Sequence, residues 1–135
     1  MNEHGLILVA EDDPDDQYFF QEAIEVVGPG QVEAHYLFDG AQLLRLLREK
    51  MLQGYRRSLV VLDLNMQVKN GRTTLVELKA DPALCNVPVV ILTTSSNEED
   101  VDYCRINGAA AYFRKPNSIT GLVQIVRTLY QGYLA

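Results

Sequence analysis

Leu59-Val60-Val61-Leu62-Asp63-Leu64 is a near-continuous run of β-branched and leucine residues with one carboxylate near its end. A run that is apolar on both sides of the pleat belongs to a strand covered on both faces, and such strands sit in parallel sheets. Two further runs of this kind flank it, Leu6-Ile7-Leu8-Val9-Ala10 before and Pro88 to Thr94 after. Helical patterns fill the gaps. Phe19, Phe20, Ala23, Ile24 and Val27 share one helix face, and Gly28-Pro29-Gly30 stops that helix. Val32 to Phe38 alternates and reads as an edge strand. Leu43, Leu44, Leu46 and Leu47 line a helix between Gly40 and Gly54. Gly71 precedes a helix bearing Leu75, Val76 and Leu78, broken at Asp81-Pro82. Asn97 to Asn107 is a helix with Asn97 as cap and Gly108 as stop. Ala110 to Arg114 is a fifth strand, and Ser118 to Tyr133 the last helix. Five strands each followed by a helix predict an α/β fold: a flavodoxin-like, doubly wound, five-stranded parallel sheet in order 2-1-3-4-5, with helices on both faces.

The 135 residues fit a single domain, 1–135, with no output domain attached. A 47% hydrophobic and 22% charged composition excludes a disordered chain, a collagen-like repeat and a disulfide scaffold. No apolar run approaches the ~20 residues of a membrane span. Met1-Asn2-Glu3-His4-Gly5 has no secretory pattern. Twelve basic against eighteen acidic residues leave a charge of −6, which argues against a nucleic-acid partner. Cys85 and Cys104 lack a CxxC partner and read as free thiols of a reducing, cytoplasmic compartment. Arg45, Arg48, Lys50, Arg56 and Arg57 read as a solvated basic face.

In a sheet of this order, ligands bind beyond the carboxyl ends of the strands, between the first and the third. The first strand ends toward Asp12 and Asp13, the third in Asp63, the fourth in Thr93 and Thr94, the fifth in Lys115-Pro116. Like charges ~6 Å apart repel by roughly 3 kcal/mol per pair at an effective dielectric near 20, so three carboxylates there need a proton, a lysine or a cation. Oxygen ligands in a shallow, watery site favour Mg²⁺ over an enclosed Ca²⁺ cage. Asp15 and Asp16 are accounted for by the electrostatics of a helix start, with Pro14 at its first position. An acidic loop after the first strand repels a bare phosphate, and no GxxxxGK is present.

Taken in order, Glu11-Asp12-Asp13-Pro14, Leu62-Asp63-Leu64-Asn65-Met66, Thr93-Thr94, Gly108-Ala109 and Lys115-Pro116 resemble the receiver domain of two-component response regulators over essentially the whole chain. The resemblance implies a phosphoacceptor signalling domain rather than an enzyme, with Asp63 taking a phosphoryl group from a phosphohistidine. It implies Mg²⁺ held by Asp12, Asp13, Asp63 and the backbone carbonyl of Asn65. Lys115 and Thr93 would bind phosphoryl oxygens, Tyr112 would rotate behind Thr93, and the peptide before Pro116 would be cis. Gln67 stands where the family usually has Pro, Asn70 where Asp is common before the glycine, and Thr94 where it has a smaller residue. Lys79-Ala80-Asp81-Pro82 followed by Val87 to Ser96 suggests the small stand-alone receivers served by phytochrome-type and similar sensor histidine kinases or phosphotransfer proteins.

The last helix has a broad apolar stripe, from which a homodimer through this helix and the fifth strand is expected, with Leu122, Ile125, Val126, Leu129, Tyr130 and Tyr133 in the contact. Two rival readings use the same residues. One is a receiver-like adaptor that never takes a phosphoryl group. The other is a haloacid-dehalogenase-type phosphatase, which wants a second Asp where Asn65 stands.

Overall fold

Gly5–Ala10 (β1), Val32–Leu37 (β2), Ser58–Leu62 (β3), Val89–Thr93 (β4) and Ala111–Arg114 (β5) pair in parallel in the order β2-β1-β3-β4-β5. This is the expected doubly wound order. It is seen in a computed structural model that describes residues 4–28, 30 and 32–134. Pro29 of the expected helix stop, and Met1, Asn2 and Glu3, lie outside the described residues. The helices are Pro14–Val27 (α1), Gly40–Leu52 (α2), Gly71–Ala80 (α3), Glu98–Ile106 (α4) and Ile119–Leu129 (α5).

Each helix starts at a side chain that accepts an orphan N–H of its first turn, an arrangement worth about 1 kcal/mol apiece. Asp13 accepts from Asp15 N–H, Asp39 from Gln42, Asn70 from Thr73, Asn97 from Glu99 and Ser118 from Gly121. Asn70 thus supplies a capping oxygen as an aspartate would. Gly108, at φ +96°, ends α4 in a left-handed conformation that only glycine adopts freely.

The period-2 alternation of the central strands builds two cores. Leu6, Leu8, Val60, Leu62, Val89 and Ile91 face α2, α3 and α4. Ile7, Val9, Leu59, Val61, Val90 and Leu92 face α1 and α5. The strand register then decides the site. Ala10 pairs with Leu62, and Asp63 N–H donates to the Ala10 carbonyl at 3.1 Å, so the chain leaves β1 and β3 at one level.

The chain end differs from expectation. The last helix is not α-helical to Tyr133; after Leu129 it widens into a π-helical turn, Tyr130–Leu134. That turn folds Leu134 back toward Gly5, and Arg57 Nη1 donates to the Leu134 carbonyl at 3.4 Å. The broad apolar stripe is therefore used largely within the chain. Leu122, Val126 and Leu129, expected at a dimer contact, are buried against the chain's own sheet, which removes them from any such contact. Ile125, Tyr130 and Tyr133 remain partly exposed.

Candidate functional site

β1 delivers Glu11 and Asp12, β3 delivers Asp63 and β5 delivers Lys115, all to one crevice at the carboxyl edge of the sheet. Carboxylate oxygens of Glu11, Asp12 and Asp63 lie within 4.8 Å of one another. Lys115 Nζ donates to Asp63 Oδ2 at 3.0 Å, to Asp16 Oδ2 at 2.7 Å and to Glu11. Asp63 is buried, and its other oxygen accepts the Asn65 N–H at 3.2 Å.

The acidic set corrects the expected one by a residue. Asp13, expected to ligate metal, is exposed and caps α1, while Glu11 takes the place beside Asp12. The reason is local. β1 ends at Ala10, so the first residues past the strand are Glu11 and Asp12, and the Pro14 that opens α1 makes Asp13 its cap. Asp13-Pro14 is a readable helix-start signal that could have shifted the assignment. Gln17 secures the same turn by donating to the carbonyls of Glu11 at 2.7 Å and Leu37 at 3.2 Å.

Asp16, expected to serve only the helix start, reaches Lys115 as well. No local pattern could have shown this, because the two residues are far apart in sequence. The Lys115–Pro116 peptide is trans, against the expected cis bond. The two isomers of an X–Pro bond differ by only about 1 kcal/mol, so tertiary context selects between them. Lys115 enters the crevice because its N–H extends the β4–β5 ladder to the Thr93 carbonyl at 2.7 Å.

The electrostatics follow from burial. Burial pushes the Glu11 carboxyl up, and with the charge of Asp63 it outweighs the bonds from Lys115 and Asp13, leaving a pKa of about 7. Burial alone would lower Lys115, but its bonds to Asp16 and Glu11 and the charges of Asp63 and Glu11 raise it instead. The pocket is overfilled with negative charge, and its donors are all oxygen. That chemistry fits a hard divalent cation.

β4 and β5 bring hydroxyls. Thr93 is fully buried, and its hydroxyl has no hydrogen-bond partner among the described residues, whereas Thr94 is exposed. Tyr112 is half-buried and donates to the Ser95 carbonyl at 2.9 Å. Ser95 in turn donates to Asp100 at 2.7 Å, and Arg72 pairs with the same carboxylate, tying α3 to α4. This network was not anticipated.

In the loop between β3 and α3, Gly71 packs so closely that a Cβ there would meet the Asp63 carbonyl oxygen at 2.1 Å. Where the resemblance leads one to expect proline, Gln67 donates its N–H to Asp12 Oδ2 at 3.3 Å, a bond proline could not make. Val68 follows at φ +62°, a strained conformation for a β-branched residue. Beside the acidic cluster a cavity of about 210 Å³ opens toward α1 and α5, with Asp16 and Lys115 at its polar end and Phe19 and Leu92 in its apolar wall.

The family pattern of the response regulator receiver domain matches residues 7–127. The chain belongs to this family. It is 32% identical to Response regulator Rcp1 of Synechocystis over 135 residues, covering 98% of this chain and 91% of that protein. Among solved structures, the phosphorylated cyanobacterial phytochrome response regulator RcpA superposes with a TM-score of 0.83 at 33% identity, covering 95% of this chain and 92% of that one. The Mn²⁺-bound form of Rcp1 gives 0.79 at 32% identity, covering 94% and 92%. The receiver identity and the likeness to phytochrome-associated receivers both agree with the sequence reading. Receivers are signalling domains that interact with histidine kinases or phosphotransfer proteins, and they bind a divalent metal. Among the described residues no helix is long and apolar enough to cross a membrane.

Proposed function

We propose that this receiver takes a phosphoryl group on Asp63 from a phosphohistidine and thereby switches a protein-interaction surface. The observation that carries the reading is the setting of Asp63, a buried carboxylate held by Lys115 and the Asn65 N–H within reach of Glu11 and Asp12. An Asp63 oxygen forms the new O–P bond as the N–P bond of the donor breaks, and the electron pair of that bond returns to the imidazole nitrogen. Positioning and charge neutralisation dominate such a transfer. Lys115 meets one phosphoryl oxygen, and the unpartnered Thr93 hydroxyl another. Asp12, Asp63, Glu11 and the Asn65 carbonyl would hold Mg²⁺, which when bound offsets the charge on the transferring oxygens.

The donor is proposed to be a sensor histidine kinase of the phytochrome type or a phosphotransfer protein; the likeness to RcpA supports this. A cytoplasmic location fits the two free thiols, Cys85 and Cys104. A homodimer through α5, the π-helical turn that follows it and β5 is proposed on the narrower surface of Ile125, Tyr130 and Tyr133; a monomeric mass by light scattering, with and without phosphodonor, would remove it.

Incubation with Mg²⁺ and acetyl phosphate, followed by intact mass, tests the function. One base-labile phosphoryl group per chain is expected, and none on Asp63→Asn. A wild-type chain that stays unmodified favours the adaptor reading, and sustained turnover of a phosphoester favours a phosphatase.

A further inference from the structure

An ammonium group has three N–H donors, and those of Lys115 are all engaged, by Asp63 at 3.0 Å, by Asp16 at 2.7 Å and by Glu11. The three acceptors are not equivalent. The side chains of Glu11 and Asp63 are 6% and 7% exposed, whereas that of Asp16 is 35% exposed. Glu11 and Asp63 are also fixed by the N–H groups of Asp13 and Asn65. Asp16 sits in the first turn of α1, at the polar end of the cavity, with solvent on its other side.

We propose that Asp16 is a positioning residue for phosphoryl acceptance: it competes with the acceptor carboxylate for Lys115 and holds the ammonium toward α1 until a phosphoryl oxygen replaces it. This rests on Asp63 as the acceptor. For Lys115 to donate to a phosphoryl oxygen, one of its three bonds must be given up. Giving up Glu11 would take the ammonium from a carboxylate that is 6% exposed, which costs more than the loss at an exposed one even with a cation bound beside it. Giving up Asp16 returns a half-exposed carboxylate to water and costs only what a surface ion pair is worth. Asp16 is therefore the exchangeable partner, and its competition both slows uptake of the phosphoryl group and favours the unmodified state.

Asp15 is the control built into the same turn. It is acidic and exposed and serves the same helix start, but it is not among the partners of Lys115. Phosphoryl uptake is measured by intact mass with acetyl phosphate at saturating Mg²⁺, and the half-life after removal of the donor. Asp16→Asn should speed uptake and lengthen the half-life, each by about two- to fivefold, the equivalent of a surface ion pair. Asp15→Asn removes the same charge from the same turn and should match wild type in both. In a Lys115→Ala background, Asp16→Asn should have no further effect.

Equal behaviour of the Asp15 and Asp16 variants, slower uptake in Asp16→Asn, or an Asp16→Asn effect that persists without Lys115 would each overturn the proposal while leaving Asp63 as acceptor. A wild-type chain that takes no phosphoryl group on Asp63 would overturn the acceptor reading and this inference with it. A purely structural role for Asp16 would lower the melting temperature of both variants and move neither rate.

Discussion

The two halves of the carboxyl edge are built on different chemistry. At the β1–β3 end, Glu11, Asp12, Asp16 and Asp63 crowd around a single lysine, and burial leaves Glu11 at a pKa of about 7. At the β4–β5 end, Thr93, Ser95 and Tyr112 bring hydroxyls, and the partly buried charges of Arg72 and Asp100 are paired with each other. One end stores uncompensated charge and so responds strongly to a cation or a phosphoryl group. The other is balanced, and can change packing at little electrostatic cost. The difference separates where a signal is received from where a rearrangement can be read out.

Removing Lys115 should have the largest effect. In Lys115→Met, Glu11 and Asp63 lose their counter-ion while buried, and stability at pH 8 should fall by about 3 kcal/mol in urea titrations. Saturating Mg²⁺ should recover much of the loss. An unchanged urea midpoint would mean that the acidic end is not charge-strained.

A pH series sharpens the same contrast without mutation. The folded-state pKa of Glu11, about 7, lies above its ordinary 4.5, so the unfolded chain ionises first as pH rises. The folded state then binds the extra proton, and stability falls between about pH 4.5 and pH 7, by on the order of 3 kcal/mol. Above pH 7 Glu11 is ionised in both states and this contribution is flat. Glu33 acts in a different window, because its bonds from Lys50 and Tyr55 hold it at about 2 and its stabilisation is lost only as pH falls toward that value. Mg²⁺ binds ionised carboxylates, so it should stabilise the chain strongly at pH 8 and hardly at pH 5. Equal stabilisation at both values would place the cation elsewhere.

The balanced end should show the smallest effect. Arg72→Gln breaks a pair whose arginine side chain is 35% exposed, so the loss should stay below about 1 kcal/mol. Mg²⁺ affinity, followed by Mg²⁺-induced stabilisation, should not change. A large shift in that affinity would show that the two ends are not separable.

Much of this was legible in the primary structure. The order of strands and helices followed from near-continuous apolar runs, alternating with helical faces and stopped by Gly, Pro and capping residues. Asp63, Thr93 and Lys115 were placed because each stands at the end of such a run, and in a parallel sheet those ends converge. What failed did so where one residue or one rotation decides. Asp13 and Glu11 are two residues apart, and only the end of β1 and the start of α1 determine which one faces the crevice. The stripe on α5 showed what must be buried, but its width matched both a partner and the chain's own π-helical turn.

Local physical chemistry thus sufficed for whatever depends on neighbours along the chain: periodicity, capping and charge at strand ends. Only the tertiary structure decided that Asp16 meets Lys115 at a sequence separation of 99, that the Thr93 hydroxyl is buried with no hydrogen-bond partner among the described residues, that the bond before Pro116 is trans, and that Leu134 returns to cover the core. These depend on competing contacts of comparable energy between distant segments. Such contests are settled by the packing of the whole molecule and leave no trace in a local pattern.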